Sequence, residues 1–363
     1  MRLRFKLAAL LLGLVVAALG AELMLRATGM GFGNSPMEPD PFLHHVHPRN
    51  YRFVQQHPSG ELGGFEIEYN AEGRVYAGRG QTSSSTSDKP CRVALMGDSF
   101  TEGGQVPFAD SFAGILEVAG GQQCEVRNYG VRSYSPAIYL VQWTRDVQPW
   151  KPDVVFLLLF GNDVREDARY LRSAVRDERN FPTAIEGPSD GWLLSQLRKS
   201  YVARFVRMAT LRAVWVWDNY GQEQWQVDGI AEENPEWGGE TPVLVQEIDR
   251  RVRAAGSRLV VMAVPSRYRL MGDGQIPVIG DFHETMRNFT AQHGIEFLNL
   301  FEPFERASKT GIALFFFKDI HFSPDGHVLT AATIARSYPQ YFPSGHSIAG
   351  PPVAAAFSGG AEP

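Results

Sequence analysis

Two cysteines in 363 residues exclude a disulfide-dense scaffold and any zinc site built on cysteine ligands. A basic excess is also missing. Thirty-five Lys and Arg stand against 40 Asp and Glu, a formal net charge of −5, so the chain lacks the electrostatic footprint of a nucleic-acid binder. No phosphate-binding loop and no dinucleotide fingerprint occurs, so no cofactor is expected. His44, His45 and His47 lie without carboxylates at ligand spacing, so no metal is expected either. Hydrophobic residues make up 44% of the chain, enough for one large core with additions. Nothing in the sequence bears on oligomeric state.

The N-terminus does carry a long apolar run. Arg2, Arg4 and Lys6 precede residues 7–21, which are uncharged, and Glu22 then stands before Leu23, Met24 and Leu25. Basic residues ahead of an apolar stretch leave the N-terminus in the cytoplasm and send the downstream chain across the membrane. The leading reading is an uncleaved signal anchor over residues 1–28, a single transmembrane helix with the rest extracytoplasmic, in a periplasm. Cleavage at the small-residue stretch Ala18-Leu19-Gly20, with secretion, is the second reading, and a buried core helix the third.

Residues 29–57 are rich in Pro, Gly and His without period and read as an irregular arm. Residues 65–77 alternate apolar and polar around Asn70-Ala71-Glu72-Gly73, the pattern of a small hairpin, and residues 78–90 read as a polar linker. The regular domain spans 91–342. Apolar strand-like runs start at residues 91, 124, 153, 258 and 295, and segments of helical spacing start at residues 108, 136, 241 and 282. Thr241 and Pro242 read as cap and first turn of their helix. This alternation predicts a parallel sheet covered on both faces, a three-layer α/β/α sandwich of flavodoxin-like type. A long insert, residues 165–240, is helical over 193–211 and carries Trp192, Trp215, Trp217, Trp225 and Trp237, which suit sugar stacking, core packing or membrane proximity. Residues 343–363, almost uncharged and rich in Pro, Gly, Ala and Ser, read as a disordered tail.

Cys91 and Cys124 each open an apolar run six residues before a glycine, Gly97 and Gly130. Adjacent parallel strands in register would set the two thiols side by side, and in an oxidising compartment a disulfide becomes plausible; two unpaired buried cysteines are the alternative.

In an open parallel sheet, ligands bind beyond the carboxyl ends of the strands. The first strand delivers Gly97-Asp98-Ser99-Phe100-Thr101-Glu102-Gly103 there, the second Asn128-Tyr129-Gly130 and the third Gly161-Asn162-Asp163. Late in the chain comes Asp319-Ile320-His321-Phe322-Ser323-Pro324-Asp325-Gly326-His327. A serine, a glycine turn, an asparagine and an Asp/His pair thus converge on one edge.

These blocks resemble the SGNH (GDSL) hydrolase superfamily, in this order: GDSFTEG with the nucleophilic serine, NYGV with the second-block glycine, GND with the third-block asparagine, and DIHFSPDGH with the catalytic pair. The resemblance covers residue 91 to about residue 338 and implies an SGNH fold with Ser99, His321 and Asp319 as catalytic triad. It implies an oxyanion hole of the Ser99 and Gly130 backbone N–H groups and the Asn162 side chain. The chemistry suits these types: imidazole deprotonates a hydroxyl near neutral pH, a carboxylate fixes the tautomer, and preorganised donors hold the developing oxyanion.

Two departures bear on function. Phe160 stands where the third block usually has glycine, and the Asp-x-His spacing of Asp319 and His321 is one residue shorter than the hydrolase pattern. That spacing is similar to SGNH-like polysaccharide O-acetyltransferases of bacterial envelopes. His327 competes for the role of base, but Ser323 and Pro324 place it in the first turn of a helix, where an imidazolium is disfavoured. It therefore reads as a packed residue, and Asp98 and Asp163 read as caps or turn braces. The Asn288-Phe289-Thr290 sequon falls inside a helical segment and reads as coincidence.

The leading expectation is a serine esterase acting on an acyl group, such as acetyl, of an envelope glycan or lipid. An O-acyltransferase using the same residues and a non-catalytic glycan-binding module are the alternatives. The implied partners are that acylated substrate and a membrane, and no nucleic acid.

Overall fold

The computed structural model describes residues 2–28, 32–33, 36–76, 89–189, 191–219, 237–267, 270 and 282–357. The expected polar linker lies almost wholly outside these residues, as does Trp225.

Five all-parallel strands form the central sheet: Cys91–Gly97, Cys124–Asn128, Val154–Leu159, Arg258–Ala263 and Glu296–Leu298. In chain order their spatial order is 2-1-3-4-5, the flavodoxin-like arrangement. The third strand, Val-Val-Phe-Leu-Leu-Leu, is buried at every position, as a strand covered on both faces must be. Alternation along the first strand divides the core: Val93 and Leu95 face one apolar cluster, and Ala94 and Met96 face the other. Helices Phe112–Gly120, Phe301–Ser308 and Pro324–Ser337 cover the first side; Pro136–Gln142, Thr241–Ala254 and Phe282–His293 cover the second. The strand order reverses between the first and third strands, which opens the crevice that positions the site.

Cys91 and Cys124 are register partners at the starts of adjacent strands and are joined as a disulfide. The N-terminal helix α1 (Arg2–Thr28) is exposed along almost its whole length; Leu3–Thr28 is long and apolar enough to cross a membrane by length and composition.

Three expectations are corrected. The arm is not irregular: Phe32–Gly33, Tyr51–Gln56, Gly63–Tyr69 and Val75–Tyr76 form a four-stranded sheet that includes the expected hairpin, and Glu38–Asp40 pairs with His44–Val46. Its own small core is Phe53, Ile67, Tyr69 and Val75. The tail is not disordered up to residue 357, because Pro351–Phe357 is a helix that buries Val353 and Ala356 against the domain, and Arg306 Nε donates to Ala356 O. Residues 358–363 lie outside the described residues. Thr241 does not cap its helix; it occupies the first turn and its hydroxyl donates instead to the buried carboxylate of Asp167 at 2.6 Å. The helical insert is two helices, Trp192–Lys199 and Tyr201–Asp218, separated at Ser200.

Candidate active site

The first strand ends at Gly97, and the chain turns at once into a single helical turn, Ser99–Glu102. Asp98 caps it, its Oδ1 accepting from Phe100 N at 2.9 Å. Ser99 is thus the first residue of a helix, where backbone N–H groups have no acceptor within the helix. Gly103 ends the turn at φ 69°, a left-handed conformation that suits glycine.

The loop after the fifth strand's helix brings the Asp/His pair to this serine. His321 Nε2 lies 2.7 Å from Ser99 Oγ, and His321 Nδ1 is hydrogen-bonded to Asp319 Oδ1. The same carboxylate oxygen accepts the backbone N–H of His321 at 2.9 Å. The short Asp-x-His spacing is therefore compatible with a continuous Ser–His–Asp chain, because one carboxylate oxygen serves both the ring and the backbone of His321. Burial of Asp319 favours the protonated carboxyl, but the His321 imidazole, the two hydrogen bonds from His321 and the His57 ring outweigh it and hold the pKa well below the usual carboxylate range. Phe100 packs its ring 4.9 Å from that of His321.

Three residues that sequence reasoning missed hold this loop. Glu61 accepts from the backbone N–H groups of Phe317 and Lys318, both at 2.5 Å. Arg267 donates to the carbonyls of Phe317 (2.9 Å) and Asp319 (3.2 Å). His57 Nε2 lies 3.4 Å from Asp319 Oδ2, the oxygen that His321 leaves free. The Ser59 backbone N–H donates to His57 Nδ1 at 3.3 Å, and Ser59 Oγ is 2.6 Å from that atom. With Nδ1 accepting, the ring proton sits on Nε2 and faces the carboxylate. Burial lowers the His57 pKa, although Asp319 pulls the other way, which favours the neutral ring. Both His57 and Glu61 come from the arm between the strands Tyr51–Gln56 and Gly63–Tyr69, so the arm completes the surroundings of Asp319.

The expected oxyanion donors are placed less simply. Gly130 N–H is already donated to Asn128 Oδ1 at 2.8 Å, and Asn128 Nδ2 in turn donates to Thr101 O at 2.8 Å. A Cβ on Gly130 would lie 2.5 Å from Thr101 C, so glycine is required here for close approach to the serine turn. Asn162 begins the helix Asp163–Tyr170 without a side-chain capping bond, and its Oδ1 is buried with no hydrogen-bond partner.

Asp163 does brace the loop, its Oδ2 accepting from Phe160 N at 3.0 Å. Behind the serine turn, burial pushes the Asp98 carboxyl up to about 6 and Asp167 up to about 7, and drives Asp163 well above the ordinary range. His327 is fully buried, its Nδ1 accepting from Phe112 N at 3.3 Å, and burial lowers its pKa to about 3. It is packed away from the serine chain and held neutral. His45 bonds Arg132 O at 2.9 Å, and His47 stacks on Tyr69 with Nε2 3.5 Å from Glu102 Oε1. These histidines brace the arm against the domain. Of the insert tryptophans, Trp237 packs edge-on against Phe282 and Phe289, Trp215 lies under Lys318, and Trp217 is 82% exposed.

The family model described as "GDSL-like Lipase/Acylhydrolase family" matches residues 95–329. No curated protein matches the chain. Among solved structures, an α/β hydrolase enzyme from the metagenome of Lake Arreo, Spain, is similar at 13% identity and a TM-score of 0.42, covering 70% of this chain and 97% of that one. An acetylxylan esterase from Geobacillus stearothermophilus is similar at 14% identity and a TM-score of 0.40, covering 68% of this chain and 94% of that one.

Proposed function

Since this chain belongs to the GDSL-like lipase/acylhydrolase family, we propose that it is a serine esterase in which Ser99, His321 and Asp319 act as a catalytic triad. The observation that carries this reading is the unbroken hydrogen-bond chain from Ser99 Oγ through His321 to Asp319. In the proposed reaction Ser99 Oγ attacks the ester carbonyl carbon while His321 Nε2 takes the hydroxyl proton. Asp319 fixes the ring with its proton on Nδ1 and stabilises the imidazolium that forms. The oxyanion is held by the Ser99 N–H and the Asn162 side-chain amide, with the Gly130 N–H shared between it and Asn128. His321 returns its proton to the leaving alkoxide oxygen, giving an alcohol and an acyl-Ser99 ester. Water, deprotonated by His321, then attacks that ester; the bond from the acyl carbon to Ser99 Oγ breaks, His321 returns the proton to Ser99 Oγ, and the carboxylic acid leaves with the serine hydroxyl restored.

The proposed substrate is an acyl ester, such as an acetyl ester, of an envelope glycan or lipid. Support for the setting comes from α1 together with Arg2, Arg4 and Lys6 on its N-terminal side, which favour a single membrane span with the domain outside the cytoplasm. In this reading residues 1–28 anchor the chain, 29–90 form the arm, and 91–342 form the esterase domain, closed by the helix Pro351–Phe357. Transfer of the acyl group to a sugar hydroxyl instead of water is the second reading, favoured by the Asp-x-His spacing.

The test is incubation of the full chain with an aryl acetate, with and without an oligosaccharide acceptor, and mass measurement of all products. Acetate release that Ser99→Ala abolishes supports the esterase. Acetylated acceptor formed faster than free acetate supports the transferase. No turnover with either, together with glycan binding that Ser99→Ala leaves unchanged, overturns both enzyme readings.

A further inference from the structure

The helix α1 does not end free of the domain. Its Glu22, the first charge after the apolar run, accepts from Ser200 Oγ at 2.8 Å and from the backbone N–H groups of Tyr201 (3.0 Å) and Val202 (2.9 Å). Arg26 donates to Lys199 O at 3.1 Å and lies over the Tyr201 ring. Ser200 is the N-cap of the helix Tyr201–Asp218, its Oγ accepting from Ala203 N at 3.1 Å, and Glu22 takes the first two backbone N–H groups, with its negative charge where the helix dipole favours it.

That helix has one face on the domain. Met208 is buried, Arg204 Nη1 donates to the Tyr51 hydroxyl at 3.1 Å, Arg212 reaches Pro58 O, and Lys318 sits over the Trp215 ring. At about 100° per residue, Phe205, Val216, Ala209, Ala213, Val206 and Trp217 fall within an arc of about 120° elsewhere on the helix. This arc holds no charged side chain, and it faces outward: Phe205 is 47% exposed, Val206 56%, Val216 47% and Trp217 82%. A helix that is apolar on its outer face has the pattern of a helix lying in a membrane interface, with tryptophan near the headgroups.

We infer that the outer face of the helix Tyr201–Asp218 rests on the lipid bilayer that α1 crosses. The inference relies on the proposed span of α1, and continuity with that span selects lipid as the occupant. A carboxylate bounding a membrane span belongs at the interface and not in hydrocarbon. Because Glu22 also binds the first-turn N–H groups of the helix Tyr201–Asp218, that helix begins at the same depth. Exposed Leu193 and Leu194 on the preceding helix Trp192–Lys199 extend the apolar surface. The opposite face of the same helix touches Lys318, the neighbour of Asp319, so the rim of the serine site stands about one helix diameter, ~10 Å, from the lipid surface.

The test is spin-label accessibility on the full chain in vesicles of phosphatidylcholine and phosphatidylglycerol. The two native cysteines are bonded to each other, so an introduced cysteine is the one free thiol. Labels at Val206→Cys and Trp217→Cys report on the outer face, Leu12→Cys reports on α1, and Lys309→Cys is the solvent control. The expected result is that labels 206 and 217 relax with oxygen and are severalfold less accessible to a nickel chelate than label 309, as label 12 also is. Labels 206 and 217 behaving like label 309 while label 12 stays in lipid overturns this inference and leaves the anchor standing. Label 12 in water overturns the anchor and this inference with it. Labels 206 and 217 shielded from both oxygen and nickel chelate mean that protein covers the face, a second copy included, and also overturn it. Retained aryl-acetate activity shows that each labelled variant is folded.

Discussion

His57 makes the sharpest test of how the arm serves the site. Its neutral Nε2–H meets Asp319 Oδ2 at 3.4 Å, with 21% of the His57 side chain exposed. A well-formed hydrogen bond to a charged group contributes about 1.5–3 kcal/mol; the 3.4 Å approach here is an electrostatic contact and not a formed hydrogen bond, so its contribution is set at about the bottom of that range. About 1.4 kcal/mol is tenfold in rate. In the proposed mechanism Asp319 matters most when His321 becomes an imidazolium, so the loss would fall on the transition state and not on substrate binding. His57→Ala is expected to lower kcat about tenfold with KM unchanged in an aryl-acetate assay. His57→Gln, which keeps a donor near the Nε2 position, is expected to recover most of it. Burial holds the His57 pKa below its ordinary value, so the ring stays neutral across the neutral range. The Gln variant should therefore keep the parent's pH–rate profile between about pH 6.5 and 8. The reasoning is refuted if His57→Ala leaves kcat within about twofold of the parent, or if kcat falls about a thousandfold, which would put His57 on the proton path.

Gly130→Ala would force a Cβ to within 2.5 Å of Thr101 C and 2.8 Å of Thr101 Cβ, so the serine turn must shift. Overpacking of this kind costs about 1–3 kcal/mol, and a lowered melting temperature with a larger fractional loss of kcat is expected. Asp167 is pushed up to about 7 by burial, so in the folded chain it keeps a proton that the unfolded chain gives up near its ordinary value of about 3.8. Its contribution is fully present below that value and is lost as pH rises toward 7, at up to ~1.4 kcal/mol per pH unit. Melting temperatures from pH 4 to 7 should therefore improve for Asp167→Asn relative to the parent as pH rises; a constant difference would contradict this. The disulfide closes a sequence separation of 33 residues, so its reduction should cost roughly 3–4 kcal/mol of stability, read by chemical denaturation with and without reductant.

The central sheet and the serine chain were legible in the sequence because each rests on contiguous residues. Buried strands announce themselves as apolar runs, and Ser99, Asn162, Asp319 and His321 each sit in a short block at a strand end or its equivalent loop. The in-register start of the first two strands was readable too, from equal spacing of Cys91 and Cys124 to their glycines. The arm was not legible. Its strands are short and owe their pairing to distant partners, Phe32 with Val54 and Tyr51 with Tyr69. His57 and Glu61 consequently had no local pattern linking them to residues some 260 positions later. Arg267 likewise acts on backbone carbonyls, which leave no trace in residue type. The tail misled because its composition is poor in charge and rich in Pro and Ala, yet Val353 and Ala356 need only a small apolar groove to dock. Thr241 fits the cap pattern, but the buried carboxylate of Asp167 takes its hydroxyl instead.

The central claim is that Ser99 is a nucleophile activated by His321. The most direct measurement is reaction of the full chain with a fluorophosphonate, followed by proteolysis and mass spectrometry of the peptides. The account predicts one phosphonylated residue, Ser99, labelled in the parent, far more slowly in His321→Ala, and not in Ser99→Ala. Labelling of another serine, or undiminished ester turnover by Ser99→Ala, would contradict it.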